Sequence, residues 1–151
     1  MKSAWTKIII FLSTFGLFDA GYLTYEAFTG GVVPCSLTGG CETVLSSQYA
    51  DIYGIPISLI GMLFYATALI LAVNIYYGNT KAFNFLLVIS SIAFIVSIVL
   101  VYIQFFVIEA VCVYCLTSAG ISTLIFILVF FIRNKMTRSV IPDKDPGSKL
   151  I

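Results

Sequence analysis

Four long apolar stretches dominate the pattern of hydrophobic and polar positions along the chain. They cover approximately residues 7–28, 57–77, 83–108 and 110–132. Each is at least as long as the roughly 20 apolar residues that a helix needs to cross the hydrocarbon core of a bilayer. A single span must pair its backbone groups internally, which an α-helix does. The pattern therefore predicts an all-α membrane protein, a four-transmembrane-helix bundle in one domain (residues 1–151).

Composition agrees with this class and excludes several kinds of chemistry. The chain is 60% hydrophobic and 10% charged, whereas a soluble domain has about 25% charged residues. It contains no histidine, which excludes imidazole as a general base or a metal ligand. The sequence has no nucleotide-binding or phosphate-binding motif, and we expect no nucleic-acid partner and no soluble flavin or nicotinamide cofactor.

The basic residues predict how the helices are oriented. Lys2 and Lys7 precede the first span, Lys81 lies between the second and third, and five basic residues follow the fourth. The connection of residues 29–56 has no Lys or Arg. By the positive-inside rule, both termini are cytoplasmic and this connection lies on the outer side. The basic tail, residues 133–151, is predicted to be flexible and to lie near anionic lipid head groups.

The outer connection carries a second pattern after Gly40. Residues at helical spacing share one face: Cys41, Val44, Leu45, Gln48, Tyr49 and Ile52. They predict a short amphipathic helix that lies over the bundle with Cys41 on its buried side. A surface helix that packs there only for stability fits the same pattern.

Four cysteines carry the candidate chemistry, and the predicted topology places all of them on the outer side, where disulfides persist. Cys35 and Cys41 lie in the outer connection, and Cys112 and Cys115 form a C-x-x-C at the start of the fourth span. On a helix this spacing puts both sulfurs on one side, where a disulfide can close and reopen. A helix N-terminus lowers a thiol pKa, whereas the nearby Glu109 carboxylate would raise it, and the sequence does not decide between them.

Other roles for the cysteines differ in how well they fit. A four-cysteine zinc site usually has two C-x₂₋₄-C pairs, but five residues separate Cys35 from Cys41, and no metal is predicted. Haem attachment would need a histidine where Leu116 stands. Two permanent disulfides, or small buried residues, remain open as alternatives.

The whole arrangement resembles the vitamin K epoxide reductase family in its prokaryotic form without a fused thioredoxin-like domain. The resemblance covers about residues 8–132 and rests on the four spans, the outer cysteine pair followed by a short helix, and the C-x-x-C. The stretches Cys41-Glu-Thr-Val-Leu-Ser-Ser47 and Tyr53-Gly-Ile-Pro-Ile-Ser-Leu-Ile-Gly61 are similar to the family's outer loop and second span. Ser47 matches the family's Ser/Thr position.

The resemblance implies an electron relay. A separate exported thioredoxin-like (DsbA-like) protein would reduce Cys35 and Cys41, and Cys41 would exchange with Cys112. The Cys112–Cys115 pair would then reduce a lipid quinone of the menaquinone, ubiquinone or vitamin K type, with Cys115 facing it. Each exchange is attack by a thiolate on a disulfide sulfur. The implied setting is a prokaryotic cell membrane, and the implied role is disulfide formation in exported proteins.

Two departures from the family bear on the substrate. Vertebrate members that reduce the epoxide carry a tyrosine and an asparagine where this chain has Ala119 and Ile57. Epoxide reduction is therefore not expected. Some bacterial members carry a fused thioredoxin-like domain, but this chain ends at Ile151, and we expect the partner to be a separate protein.

Two polar residues complete the candidate site. Ser47 is expected to assist around the quinone or to steady the short helix, although an ordinary surface serine fits equally. Asp19 lies inside the first span, where an ionisable group is costly and often functional. Two competing functions stay open: a non-enzymatic membrane scaffold or assembly factor with two structural disulfides, and a transporter of reducing equivalents without quinone.

Overall fold

A computed structural model describes residues 2–34 and 39–140 of the chain. Within this part, four helices are long and apolar enough to cross a membrane, which confirms the predicted all-α four-helix membrane fold. The elements in chain order are α1 (Lys2–Thr29), α2 (Gly40–Leu45), β1 (Asp51–Ile52), β2 (Ile55–Pro56), α3 (Ile57–Tyr76), α4 (Thr80–Ile103), a π-helical turn (Gln104–Ile108) and α5 (Val113–Val140).

The helix α2 is shorter than the apolar stripe predicted, because two serines redirect the chain after Leu45. The hydroxyl of Ser46 donates to the carbonyl of Glu42 at 2.7 Å, and the hydroxyl of Ser47 donates to the carbonyl of Val44 at 2.7 Å. Such side-chain bonds compete with continued helix. The prediction that the helical face extends to Ile52 is therefore wrong, although its buried side does include Cys41 and Val44.

A two-residue hairpin replaces the end of that predicted helix and leads directly into α3. Strands β1 and β2 pair antiparallel, with Ile52 opposite Ile55. Tyr53 and Gly54 have φ angles of 54° and 83°, the left-handed values that a type I′ hairpin turn requires. The Gly54 N–H also donates to the Asp51 carboxylate at 3.2 Å. This hairpin fixes where the outer connection ends.

The C-terminal helix is longer than expected. Helix α5 continues to Val140, and residues 133–140 of the predicted flexible tail are therefore helical. The remaining part of that tail, residues 141–151, lies outside the described residues.

Small residues let α1 and α3 approach each other closely. Gly16 lies against the ring of Tyr65, and a methyl group at Gly16 would overlap with that ring. One turn further along α1, the Ala20 side chain faces Gly61, where an added methyl group would lie 3.8 Å from it. Close approach through glycine and alanine is typical of membrane helices, where packing rather than water drives association.

Buried side chains form two clusters. The first fills the middle of the bundle around Tyr65, Leu86, Ile125 and Val129, each at most 1% exposed. The second lies beside the start of α5 and consists of Leu23, Val33, Cys41, Val44 and Cys112. Outward-facing side chains of the spans are large and apolar, as a lipid-facing surface requires.

Candidate redox site

Cys112 occupies the N-terminal cap of α5. Its carbonyl accepts the first helical hydrogen bond, from the Leu116 N–H at 3.0 Å. Its sulfur accepts from the Cys115 N–H at 3.4 Å, the bond that a capping side chain makes. The side chain is fully buried, at 0% exposed, whereas Cys115 is partly exposed. Both are free thiols.

This position resolves the question that the sequence left open about the Cys112 thiol. Hydrogen bonds from the Cys115 thiol and from the backbone N–H groups of Cys115 and Tyr114 lower the pKa of Cys112, and burial opposes them only in part. The positive end of the α5 dipole acts in the same direction. Glu109 is exposed, and water screens its charge. Cys112 therefore ionises more readily than an ordinary thiol, and a sulfur that is stable as a thiolate is a good leaving group in disulfide exchange.

A close backbone contact holds α2 against this cap. A methyl group on Gly40 would lie 2.7 Å from the carbonyl oxygen and 2.8 Å from the nitrogen of Val111, closer than carbon normally approaches. Only glycine allows this contact without a shift of one backbone. Because Gly40 and Val111 directly precede Cys41 and Cys112, the contact brings the two cysteines into one region.

Cys41 and Cys112 belong to the same buried cluster, and each is 0% exposed. Cys115 packs at the edge of that cluster. Cys41 is part of a disulfide bond. Cys35 lies outside the described residues, and its predicted pairing with Cys41 stays a prediction. The structure thus brings three of the four predicted cysteines together.

A cavity of about 850 Å³ lies beside Cys115, within the size range of small-molecule sites. Cys115 is the cysteine in its wall. The wall is mostly apolar and combines side chains from all four long helices and from the outer connection, among them Ala20, Leu45, Ile57, Phe64, Ile89, Leu100 and Ala119.

Four polar side chains in the cavity wall are paired with one another. The Tyr65 hydroxyl donates to the Ser118 carbonyl at 2.6 Å and lies 3.0 Å from the Ser118 hydroxyl. The Ser97 and Ser122 hydroxyls are 2.7 Å apart. Ser47 also lines the cavity, and its hydroxyl donates to the Val44 carbonyl.

Gln104 is the polar residue of this site that the sequence reasoning missed. It is 4% exposed, it lines the cavity, and its side-chain oxygen accepts the Cys112 N–H at 3.2 Å. A signal was present, because an amide inside a long apolar span is unusual. It stands eight residues before Cys112, however, and only the turn between the helices brings the two together.

Asp19 does not line the large cavity. It lies in a smaller pocket with Phe15, Phe18, Tyr22 and Tyr114, where the two tyrosine rings are 5.7 Å apart. Its Oδ2 atom is buried and has no hydrogen-bond partner. Asp19 therefore lies near the C-x-x-C turn, beside Tyr114, in a pocket separate from the large cavity.

The two positions that depart from epoxide-reducing members, Ile57 and Ala119, both line the large cavity. The two residues that differ from those members are therefore part of the cavity wall. Elsewhere, the described residues contain no cluster of three or more Cys, Asp or Glu side chains arranged to hold a metal ion.

Comparison with known proteins identifies the family. Residues 7–130 match the Vitamin K epoxide reductase family. The chain belongs to this family. It is similar to the thiol-disulfide oxidoreductase LTO1 of Arabidopsis thaliana, with 38% identity over 64 residues; the match covers 42% of this chain and 17% of that protein. The family and the four apolar helices make the chain a multi-pass membrane protein.

The contact between Gly40 and Val111 yields a prediction about disulfide exchange. In a protein with Cys35→Ala and Cys115→Ala, Cys41 and Cys112 are the two remaining cysteines and should form a disulfide when a mild oxidant is added. Adding Gly40→Ala should slow this step at least roughly tenfold, because small displacements of reacting atoms are costly. The measurement is the rate of the mobility shift on non-reducing gels.

Gly120→Ala serves as the matched control, since a methyl group there meets no atom within 4 Å. It should leave the rate unchanged. Equal rates with Gly40→Ala would show that the close approach does not position the two sulfurs.

Proposed function

We propose that the protein is a quinone-dependent thiol-disulfide oxidoreductase that oxidises an exported thioredoxin-like partner. The observation that supports this best is the division of the C-x-x-C between two surroundings. Cys112 is sealed in a cluster with Cys41, whereas Cys115 lines the apolar cavity three residues away. One sulfur of the pair is thus placed for exchange with a protein disulfide and the other for a lipid-soluble acceptor.

The electrons and protons of the proposed relay are all accounted for by the partner's thiols, the four cysteines and the quinone. The partner's two thiols reduce the Cys35–Cys41 disulfide and become a disulfide. The Cys41 thiolate then attacks Cys112, the bond between Cys112 and Cys115 breaks, and Cys35 resolves the mixed disulfide by attacking Cys41. The C-x-x-C is now a dithiol, which gives two electrons and two protons to a quinone and re-forms its own disulfide. The low pKa of Cys112 favours its departure as a thiolate from the mixed disulfide.

Two further residues have proposed supporting roles. Ser47 steadies the end of α2, because its hydroxyl holds the Val44 carbonyl at the edge of the cavity. Asp19 takes up or returns protons during the thiol reactions, an assignment based on its buried, unpaired oxygen beside Tyr114. The quinone of the menaquinone, ubiquinone or vitamin K type is the substrate, and no metal is needed.

The relay requires a definite orientation, which we propose from the basic residues. Both termini and Lys81 are cytoplasmic, and the cysteines face the outer side of a prokaryotic cell membrane. In this arrangement the partner is an exported protein and the redox activity supports disulfide formation outside the cytoplasm.

The orientation is tested with a membrane-impermeant thiol reagent on intact cells. After reduction, Cys35 should be labelled without permeabilisation. In a variant whose only cysteine is Lys81→Cys, labelling should appear only after the membrane is opened. The reverse labelling pattern would overturn the proposed orientation.

The cysteine roles are tested by comparing two electron donors. Cys35→Ala should abolish quinone reduction with a thioredoxin-like donor but leave much of the reduction driven by dithiothreitol, because that small molecule reaches the C-x-x-C directly. Cys115→Ala should abolish both. Cys112→Ala should stop turnover and leave the Cys115 thiolate against the quinone, with a visible charge-transfer absorbance. Full dithiothreitol activity in Cys115→Ala would show that the C-x-x-C is not the quinone-facing centre and would refute the mechanism.

The apolar positions Ile57 and Ala119 in the cavity wall predict substrate selectivity. With dithiothreitol as donor, the purified protein should reduce a simple quinone and should reduce a vitamin K epoxide poorly or not at all, because the wall has no polar side chain at these two positions. The measurement is turnover on both substrates under identical conditions. Comparable rates would show that these positions do not select between them.

A further inference from the structure

Gln104 connects the C-x-x-C to the cavity through one amide group. Its side-chain oxygen accepts the Cys112 N–H at 3.2 Å. Because only the oxygen of the amide accepts hydrogen bonds, this contact fixes which way the group is turned. The NH₂ group, with two donor hydrogens, therefore points away from Cys112. Gln104 is more than nine-tenths buried and forms part of the cavity wall.

The NH₂ group of Gln104 has no acceptor among the described residues. A donor in a cavity wall that makes no hydrogen bond to the protein is available to a bound molecule. Among the other polar side chains of the cavity wall, Tyr65 pairs with Ser118 and Ser97 with Ser122, whereas Ser47 and Thr67 donate to backbone carbonyls and Asp51 accepts a backbone N–H. Gln104 thus supplies a donor that the protein itself does not use, in a chamber of ligand size beside Cys115.

Backbone contacts hold Gln104 firmly at this place. It is the first residue of the π-helical turn, and its carbonyl oxygen accepts the Ala110 N–H at 3.2 Å and also the Glu109 N–H. Its backbone and side chain therefore both bind the segment that leads to Cys112. A donor held this way needs no rearrangement to act.

We propose that the Gln104 NH₂ group donates a hydrogen bond to a carbonyl oxygen of the quinone, while the Gln104 side-chain oxygen holds the Cys112 N–H. The inference rests on the proposed function. When Cys112 and Cys115 form their disulfide, two electrons enter the quinone and its oxygens become negative before the two thiol protons reach them. A preorganised donor stabilises that charge. Gln104 itself gains and loses no proton.

Quinone affinity tests this role without requiring turnover. In the Cys112→Ala protein, which keeps the N–H at position 112, menadione is titrated and its Kd is measured from the charge-transfer absorbance. Adding Gln104→Leu should raise this Kd roughly three- to tenfold, the worth of one neutral hydrogen bond. Gln104→Glu should raise it as well, because the carboxylate keeps an acceptor for the N–H but has no donor.

Asn74→Leu is the matched control, since it removes an exposed amide that bonds the Ile70 carbonyl and does not line the cavity. It should leave the Kd unchanged. A second measurement needs no substitution at Gln104: the infrared carbonyl stretch of ¹³C-labelled menadione bound to the Cys112→Ala protein. A hydrogen-bonded carbonyl should absorb at lower frequency than the same quinone in detergent.

The outcomes separate this inference from the proposed function. If the unsubstituted protein does not reduce menadione with dithiothreitol and the Cys112→Ala protein shows no charge-transfer band, the proposed function itself fails. If the band forms but both Gln104 variants keep the parent Kd, Gln104 does not bind the carbonyl. An unshifted carbonyl stretch overturns the inference even if the Gln104 variants do not fold.

Discussion

The close approach of two backbones, Gly40 against Val111, is the constraint on which the rest of the site depends. It presses the short helix α2 onto the segment that leads into α5. Helix α2 has only six residues and would be unstable alone, so its position comes from this contact and from the burial of Cys41 and Val44. The Cys41 sulfur is thereby held in place by packing against the bundle.

The start of α5 then divides the site into two environments. Cys112 caps the helix inside protein, where N–H groups favour its thiolate, and Cys115 lies one turn along, in the wall of an apolar chamber. Gln104 reaches both environments from the neighbouring helix. Three residues of helix and one amide side chain therefore separate a sulfur enclosed in protein from a sulfur that lines the cavity.

Much of this arrangement follows from the sequence because membrane helices leave few alternatives. The four spans, the C-x-x-C on a helix and the burial of Cys41 all come from periodicity, length and charge. The exact end of α2 does not follow from the sequence, because the hydrogen bonds from the Ser46 and Ser47 hydroxyls to backbone carbonyls depend on local geometry. Gln104 could not be predicted from the sequence for a different reason. A π-helical turn brings its side chain to Cys112, and the spacing of the two residues in the sequence does not reveal that contact.

Cys112 is enclosed in protein, whereas Cys115, three residues later, faces the cavity. This separation has a consequence for how the two products are released. Under the proposed relay, the oxidised protein partner departs from the outer surface, whereas the reduced quinone leaves sideways into the bilayer. The two products never share an exit, so neither has to wait for the other to clear the site. In this relay the C-x-x-C separates the aqueous side from the lipid side. Electrons pass between the two sides through disulfide exchange, without contact between water and the quinone.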